Sequence, residues 1–375
     1  MKYSNNIYNT ISIDEFDKLY LNNINEIVKL KRNVVKKDFQ NISFLKLKKK
    51  IFHIFNNKNN KLIVFIFFFI LIKVFLKYSI LNNYNKNNNI EVGICAIGKN
   101  ENLYIKEFVN HYKKLGYNRI FLYDNNDIGE ERFEDVIQSE INDGFVVLIN
   151  YRGYKGKEQN PQFDAYKDCY EKNNNNYNWL SFFDIDEYLQ FNPINLKIQD
   201  FLKQKKFHLC QIIKINWLYY INNNSLYYEK KPLEERLDIP LFNISVNGHI
   251  KSTVRGKLVH NYWYKAQNPH TSINNFTTCS SSGKIIDPSS PYNYPYEHQF
   301  AYLKHYQMKS FEEYCMKIRR GRPIPGYKKY REKAIYNLLK SNENNKQKLD
   351  IIKKIFNITF NSFNKSIYLF PFFIF

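Results

Sequence analysis

From Glu91 onward the chain alternates short, largely apolar runs with segments in which apolar residues recur every three or four positions. Residues 92–97 (VGICAI), 119–123 (RIFLY), 145–149 (FVVLI) and 179–183 (WLSFF) are four such runs. They have the length of strands and are apolar enough to be covered on both faces. Between them, residues 103–115, 132–142 and 162–172 carry the helical period. Gly116 and Gly144 stand where a helix ends in a residue that tolerates a left-handed backbone. Strands alternating with helices predict βαβ units, a sheet with helices packed on it. Ser310 and Glu313 have the spacing of a capping box, and helical patterns return at residues 334–339 and 349–356. No internal repeat is evident.

Upstream, residues 62–72 (LIVFIFFFILI) form an unbroken apolar run that continues past Lys73 to Leu81. That length approaches the roughly 20 residues needed to span a bilayer, with Lys73 and Lys77 able to snorkel. Lys46, Lys48, Lys49, Lys50, Lys58 and Lys61 precede the run, so the positive-inside rule puts the N-terminal side in the cytoplasm. The expected organisation is a basic cytoplasmic tail (1–61), a single-pass type II anchor (62–81), an Asn-rich stem (82–90), a luminal catalytic domain (91–330) and a C-terminal extension (331–375). The Asn-x-Ser/Thr triplets at Asn223, Asn243, Asn275, Asn357 and Asn364 fit the luminal side.

Lys and Arg outnumber Asp and Glu by 56 to 35, which invites a nucleic-acid reading. The basic residues are scattered through an Asn- and Lys-rich chain instead of forming a stripe, so no nucleic-acid partner is expected. The five cysteines show no metal-ligand spacing. Cys95 and Cys169 lie in apolar or helical patterns, and buried thiols are the default expectation for both.

Chemistry is expected at the carboxyl ends of the strands, where ligands collect on open sheets. Lys99, Asn100 and Glu101 follow the first strand, Asp124, Asn125 and Asn126 the second, and Asp184-Ile185-Asp186-Glu187 the fourth. Two carboxylates two residues apart at a strand end can share Mn²⁺ or Mg²⁺, with phosphate oxygens and water completing the shell. Such an ion neutralises a departing diphosphate.

Taken together and in order, Cys95 to Ile97 with Lys99-Asn100-Glu101, Glu107 to Tyr112 with Leu115-Gly116, the tetrad YDNN at 123–126, Ala165-Tyr166 with Cys169, and WLSFFDIDE at 179–187 resemble glycosyltransferase family 92. Glu235-Arg236, Lys251-Ser252, Val254-Arg255, His305-Tyr306, Lys309-Ser310 and Arg320-Gly321 continue the likeness. The family is related to glycosyltransferase family 2. The resemblance implies a GT-A-type, Rossmann-like mixed α/β sheet with flanking helices, a UDP-sugar donor, with UDP-galactose expected, Mn²⁺, inversion at the anomeric carbon, a glycan acceptor on glycoprotein or glycolipid, and a Golgi membrane location. Asp184 and Asp186 match the family's DxD metal motif. Gly98 departs from the pattern, in which Ala is more usual.

Other roles stay open at this level. Lys99, Asn100 and Glu101 can contact base or phosphates, or Asn100 can cap a helix while Glu101 favours its dipole. Asp124 can accept from ribose or uracil, or close a turn. Asp184 is assigned to the donor as well as to the metal, and His305 can complete the metal shell. Arg319, Arg320 and Arg322 can form a phosphate lid. Glu235 and Asp287 are candidate bases for the acceptor hydroxyl, Glu235 being favoured although a salt bridge to Arg236 explains it equally. Trp217, Tyr219 and Tyr220 can stack on an acceptor sugar or fill the core. A non-catalytic nucleotide-sugar or glycan binder on the same fold is the alternative function.

Overall fold

The computed structural model describes residues 72, 90–156, 160–221, 225–257, 270, 276–321, 327–342 and 345–357. The expected anchor lies outside them apart from Ile72. Among the described residues no helix is long and apolar enough to cross a membrane.

The first half alternates as the pattern predicts: β1 (Val92–Gly98), α1 (Asn102–Lys114), β2 (Arg119–Asp124), α2 (Glu134–Asn142), β3 (Val146–Asn150), α3 (Pro161–Asn173) and β4 (Trp179–Phe182). β1 pairs in parallel with β2 and β4, and β2 with β3. Period-two alternation separates two cores across this sheet. Ile94, Ala96, Ile120 and Leu122 face α1 residues such as Phe108 and Tyr112. Cys95, Phe121, Tyr123 and Phe182 face Ala165, Tyr166 and Cys169 of α3. Helix ends follow local chemistry: Gly116 and Gly144 take positive φ (90° and 76°), and Asn160 caps α3 by accepting from the Phe163 N–H, with Pro161 at its first position.

The second half adds β5 (Glu187–Phe191), α4 (Ile198–Leu202), β6 (Ile212–Ile221), α5 (Leu233–Arg236), β7 (Ile239–Leu241), β8 (Ile250–Arg255), β9 (Thr278–Ser280), β10 (Ala301–His305), α6 (Phe311–Arg320), α7 (Tyr327–Ser341) and α8 (Lys346–Phe356). The main strand order is β3-β2-β1-β4-β8-β6-β10-β5, with β7 and β9 also on β6, so the sheet is mixed as expected. β6 is the strand on which this half turns. Its first residues pair with β8 and β9, its last with β10 and β7. Cys315, Leu339, Ile351, Ile352 and Ile355 form a third core that docks α7 and α8 onto α6. The expected domain boundary at residue 330 therefore falls inside α7, in a helix that shares this core.

A disulfide replaces the thiols expected at Cys95 and Cys169 and ties β1 to α3, and a second, Cys210–Cys279, ties the start of β6 to β9. The facing alternation that buries Cys95 against α3 is what brings it to Cys169. Cys315 remains a buried thiol. Each bridge closes a long segment, 74 and 69 residues apart in sequence. Replacing Cys210 and Cys279 by Ser should cost about 2–4 kcal/mol, a melting shift on the order of 5–15 °C by calorimetry. An unchanged melting temperature would mean the pair contributes no cross-link in the folded protein.

Candidate functional site

β4 is buried on both faces and delivers Asp184-Ile185-Asp186-Glu187 into a tight turn. The Glu187 N–H donates to the Asp184 carbonyl at 3.0 Å, and the Asp184 N–H donates to Glu187 Oε2 at 3.0 Å. Ile185 points back under β1. A Cβ at Gly98 would run into Ile185 and Phe133, which accounts for glycine where Ala is more usual.

The carboxylates of the turn are met by side chains from several elements. Asp184 Oδ1 accepts from Gln162 Nε2 (2.8 Å) and Tyr166 Oη (3.0 Å) on α3. Its Oδ2 lies 2.7 Å from Lys251 Nζ on β8, which is also 3.5 Å from Glu187 Oε1. Asp186 Oδ2 is 2.7 Å from Lys317 Nζ on α6, and its Oδ1 is 3.8 Å from His305 Nε2 at the end of β10. The β5–β10 register, which sets His305 opposite Glu187, makes that approach possible.

Removal from water raises Asp184 and Asp186, but Lys251 brings the first below the ordinary carboxylate value, and Lys317 brings the second far below it. Burial pushes Glu187 well above its ordinary value against the pull of Lys251. Burial lowers His305 to about 3, so its ring is neutral at physiological pH. Among the described residues, its Nδ1 has no hydrogen-bond partner.

A neutral imidazole facing an ionised carboxylate is a suitable donor pair for a hard-to-borderline divalent cation. Adjacent donors about 2.1 Å from one octahedral ion stand about 3.0 Å apart, so Asp186 and His305, 3.8 Å apart, would have to close slightly to share one. The expected set of Asp184, Asp186 and His305 does not converge as a whole. Asp184 is drawn to Lys251, Tyr166 and Gln162, and among the described residues no group of three or more His, Cys, Asp or Glu side chains is arranged to hold a metal. Asp186 and His305 would supply two protein ligands, leaving other positions to phosphate and water.

The other strand ends are committed to one another. Asp124 is 2.9 Å from Arg152, whose guanidinium also donates to the carbonyls of Asp127, Glu130 and Glu131. Its other oxygen accepts from the Asn126 N–H. Asn100 does not cap α1: it takes a positive φ of 51° and donates its N–H to Asn126 Oδ1 at 2.6 Å. Glu101 occupies the cap position without a capping bond and pairs with Arg320. Arg320 also donates to the Lys99 carbonyl at 2.8 Å, and Lys99 pairs with Asp127 at 2.8 Å. A cavity of about 560 Å³ opens beside Asp124 and Arg152, lined also by Arg132, Glu134, Leu148 and Asn150.

α6 carries the cations that reach both places. Lys317 and Arg320, three residues apart, lie on one helical face, one at Asp186 and the other at Glu101. The helix is fixed at its start by the expected capping box. Glu313 does more than cap: its carboxylate accepts from Tyr104 Oη (2.7 Å), Arg236 Nη1 (2.9 Å) and Arg236 Nη2 (3.1 Å). This clasp joins α1, α5 and α6. Arg236 therefore belongs to Glu313 and not to Glu235, the alternative left open for that pair. Glu235 is exposed on α5, and Asp287 Oδ1 is taken by the Ser289 N–H and hydroxyl. Arg322 lies outside the described residues.

In the sequence Lys317 and Arg152 were assigned no role, Lys251 entered only through the family resemblance, and Glu313 only as a cap.

Glu313 lies below the ordinary carboxylate range, since its bonds from Arg236 and Ser310 outweigh the cost of burial. Its stabilisation is thus complete above that range and lost as pH falls through the lowered folded value. Glu313→Ala should cost about 3–5 kcal/mol near neutrality by leaving Arg236 buried without its partner. The deficit should narrow in thermal melts as pH falls below the ordinary carboxylate range. A pH-independent deficit would point to packing alone.

The sequence model of glycosyltransferase family 92 matches residues 88–354. A family 92 protein of Ricinus communis is 29% identical over 116 residues, 31% of this chain and 20% of the relative. One of Oryza sativa subsp. japonica is 27% identical over 110 residues, 29% and 18% respectively. The matched segments thus span about a fifth of these relatives' length. Among solved structures, Staphylococcus aureus TarS 1–349 in complex with UDP overlaps with a TM-score of 0.26 and 14% identity, covering 37% of this chain and 38% of that one. A Pyrobaculum calidifontis mannosyltransferase in complex with GDP-Man and Mn²⁺ overlaps with a TM-score of 0.25 and 12% identity, covering 38% and 43%. These overlaps are too slight to carry any residue's role across.

Proposed function

Because the chain belongs to glycosyltransferase family 92, we propose that it is a metal-dependent, inverting glycosyltransferase of GT-A type that moves a hexose, galactose first among them, from a UDP-sugar to a glycan acceptor. The observation that carries this reading is the turn at residues 184–187: Asp186 faces neutral His305, with Lys317 and Arg320 of α6 beside it. Carboxylate and imidazole suit Mn²⁺ or Mg²⁺, and the adjoining cations suit a diphosphate.

Each side chain then has a task. Asp186 and His305 would hold the ion, which when bound supplies charge neutralisation for the leaving diphosphate. Lys317 and Arg320, now paired with Asp186 and Glu101, would turn to the phosphate oxygens as donor enters, exchanging one anionic partner for another. Lys251 keeps Asp184 and Glu187 in the turn. Asp124 and Arg152, with the adjoining cavity, are assigned to the nucleoside, and Lys99, Asn100 and Glu101 to the loop that borders it. Proton acceptance from the acceptor hydroxyl is assigned to exposed Glu235 in preference to Asp287, whose Oδ1 already serves Ser289.

The two disulfides support an oxidising compartment. We place the domain in the lumen, behind a type II membrane anchor at residues 62–81, with the Golgi as the compartment. UDP release from a panel of UDP-sugars should require Mn²⁺ or Mg²⁺, stop with chelator, favour one sugar, and fall on the order of 10²–10³-fold in Asp186→Ala. Tight, metal-dependent donor binding with no UDP release would select the non-catalytic alternative. Neither binding nor release of any UDP-sugar would end the reading.

A further inference from the structure

Away from the carboxylate turn, the loop that follows β9 alternates exposed and buried side chains: Tyr292 is 43% exposed and Tyr294 55%, with Asn293 between them at 7%. Large aromatic rings left in water and yet rigidly held are unusual unless something covers them. These two are held from three sides. Tyr294 Oη donates to the Ser245 carbonyl at 2.6 Å, and its ring lies so close to Gly248 that a Cβ there would collide with it. Asn293 exchanges a side-chain bond with buried Asn216 of β6 (2.8 Å) and donates its N–H to the Gly248 carbonyl (2.9 Å). Asn216 in turn donates to the carbonyls of Asn247, Gly248 and Asn293.

The exposed pair is continuous with the carboxylate turn through ring contacts. Tyr294 stacks on Tyr292 (6.1 Å between centroids), Tyr292 meets His249 edge to face (4.6 Å), His249 stacks on Trp217 (4.6 Å, 15° between planes), and Trp217 packs on His305 (4.1 Å). His305 faces Asp186. At the inner end, the indole N–H of Trp217 is buried, and among the described residues it has no acceptor. A buried donor without a partner is costly and points to a ligand that carries acceptors.

We propose that this aromatic strip, from Tyr294 and Tyr292 inward to Trp217, docks the oligosaccharide chain that receives the sugar. The proposal rests on the transferase reading above and names the acceptor's chemistry. The C–H face of a pyranose covers one aromatic ring, its hydroxyls can satisfy the Trp217 N–H, and a strip of successive rings accommodates a chain longer than one sugar. A peptide fits less well. The Tyr292 N–H is spent on Ser290 Oγ, the Asn293 N–H on Gly248, and His249 already bridges Tyr292 in antiparallel fashion. The edge that would pair with an added strand is therefore occupied.

The test uses the full chain and fluorescently labelled N-glycans released from total membrane glycoprotein, with an unglycosylated peptide pool as the second probe. Glycan Kd should rise at least roughly tenfold in Tyr292→Ala and Tyr294→Ala and change little in the Phe variants, which keep the ring. Hydroxyl-radical footprinting of the unmutated chain, which needs no variant to fold, should show Tyr292 and Tyr294 protected by glycan. Unprotected tyrosines, or equal binding by the Ala variants, would overturn the strip, as would preference for the peptide pool. UDP release by the same preparation separates the two claims. Turnover without glycan protection sinks the strip alone, whereas tyrosine-dependent glycan binding without any UDP release keeps the strip and sinks the transferase reading.

Discussion

Carboxylates gathered at the end of a buried strand leave water and repel one another, and both effects grow as the local dielectric falls. The turn at 184–187 tolerates this because two lysines from distant elements reach it. Lys251, with a side chain only 1% exposed, comes from β8, which pairs with β4 and β6. Lys317 comes from α6. Without β8 in register the turn would hold Asp184 and Glu187 with no counter-charge. Without α6 Asp186 would lose Lys317, the cation that lies 2.7 Å from it. The mixed second half of the sheet and the C-terminal helices are thus what make a carboxylate-rich strand end stable.

The same requirement explains the investment in Glu313. A helix that brings Lys317 and Arg320 to two acidic partners must be fixed in rotation as well as position, because a turn of one residue would move both cations off their targets. The capping box sets where α6 starts, Arg236 and Tyr104 set its azimuth, and the core around Cys315 holds its outer side. Cations held by carboxylates in this way are poised to exchange them for phosphate oxygens. Such ion pairs suit a site that takes up and releases an anion better than one meant only for stability.

Much of the first half was legible because its strands are buried on both faces and its helices are amphipathic, so their boundaries fell within a residue or two. Gly116, Gly144 and the Ser310–Glu313 box could be read from local chemistry alone. The strands after β4 were not legible as a set. β6 changes partners along its length, and β8 carries Lys251, Ser252 and Thr253 inward, so neither alternation nor a continuous apolar run marks them. Asp184 and Asp186 stood out by position, but their partners could not. Lys251 lies 67 residues from Asp184 and Lys317 131 from Asp186, and only the tertiary fold relates them. Cys95 and Cys169 read as core residues because they are core residues; the bridge depended on which faces met.

The central claim is that Asp186 and His305 share the cation that accompanies the donor. It is tested most directly by electron spin-echo envelope modulation of Mn²⁺ added to the protein with UDP. The account predicts ¹⁴N modulation from a directly bound imidazole, present with UDP and absent in His305→Ala, while Asp186→Ala loses high-affinity Mn²⁺ altogether. Mn²⁺ bound with UDP but without imidazole nitrogen in its shell, or bound equally well by Asp186→Ala, would contradict it.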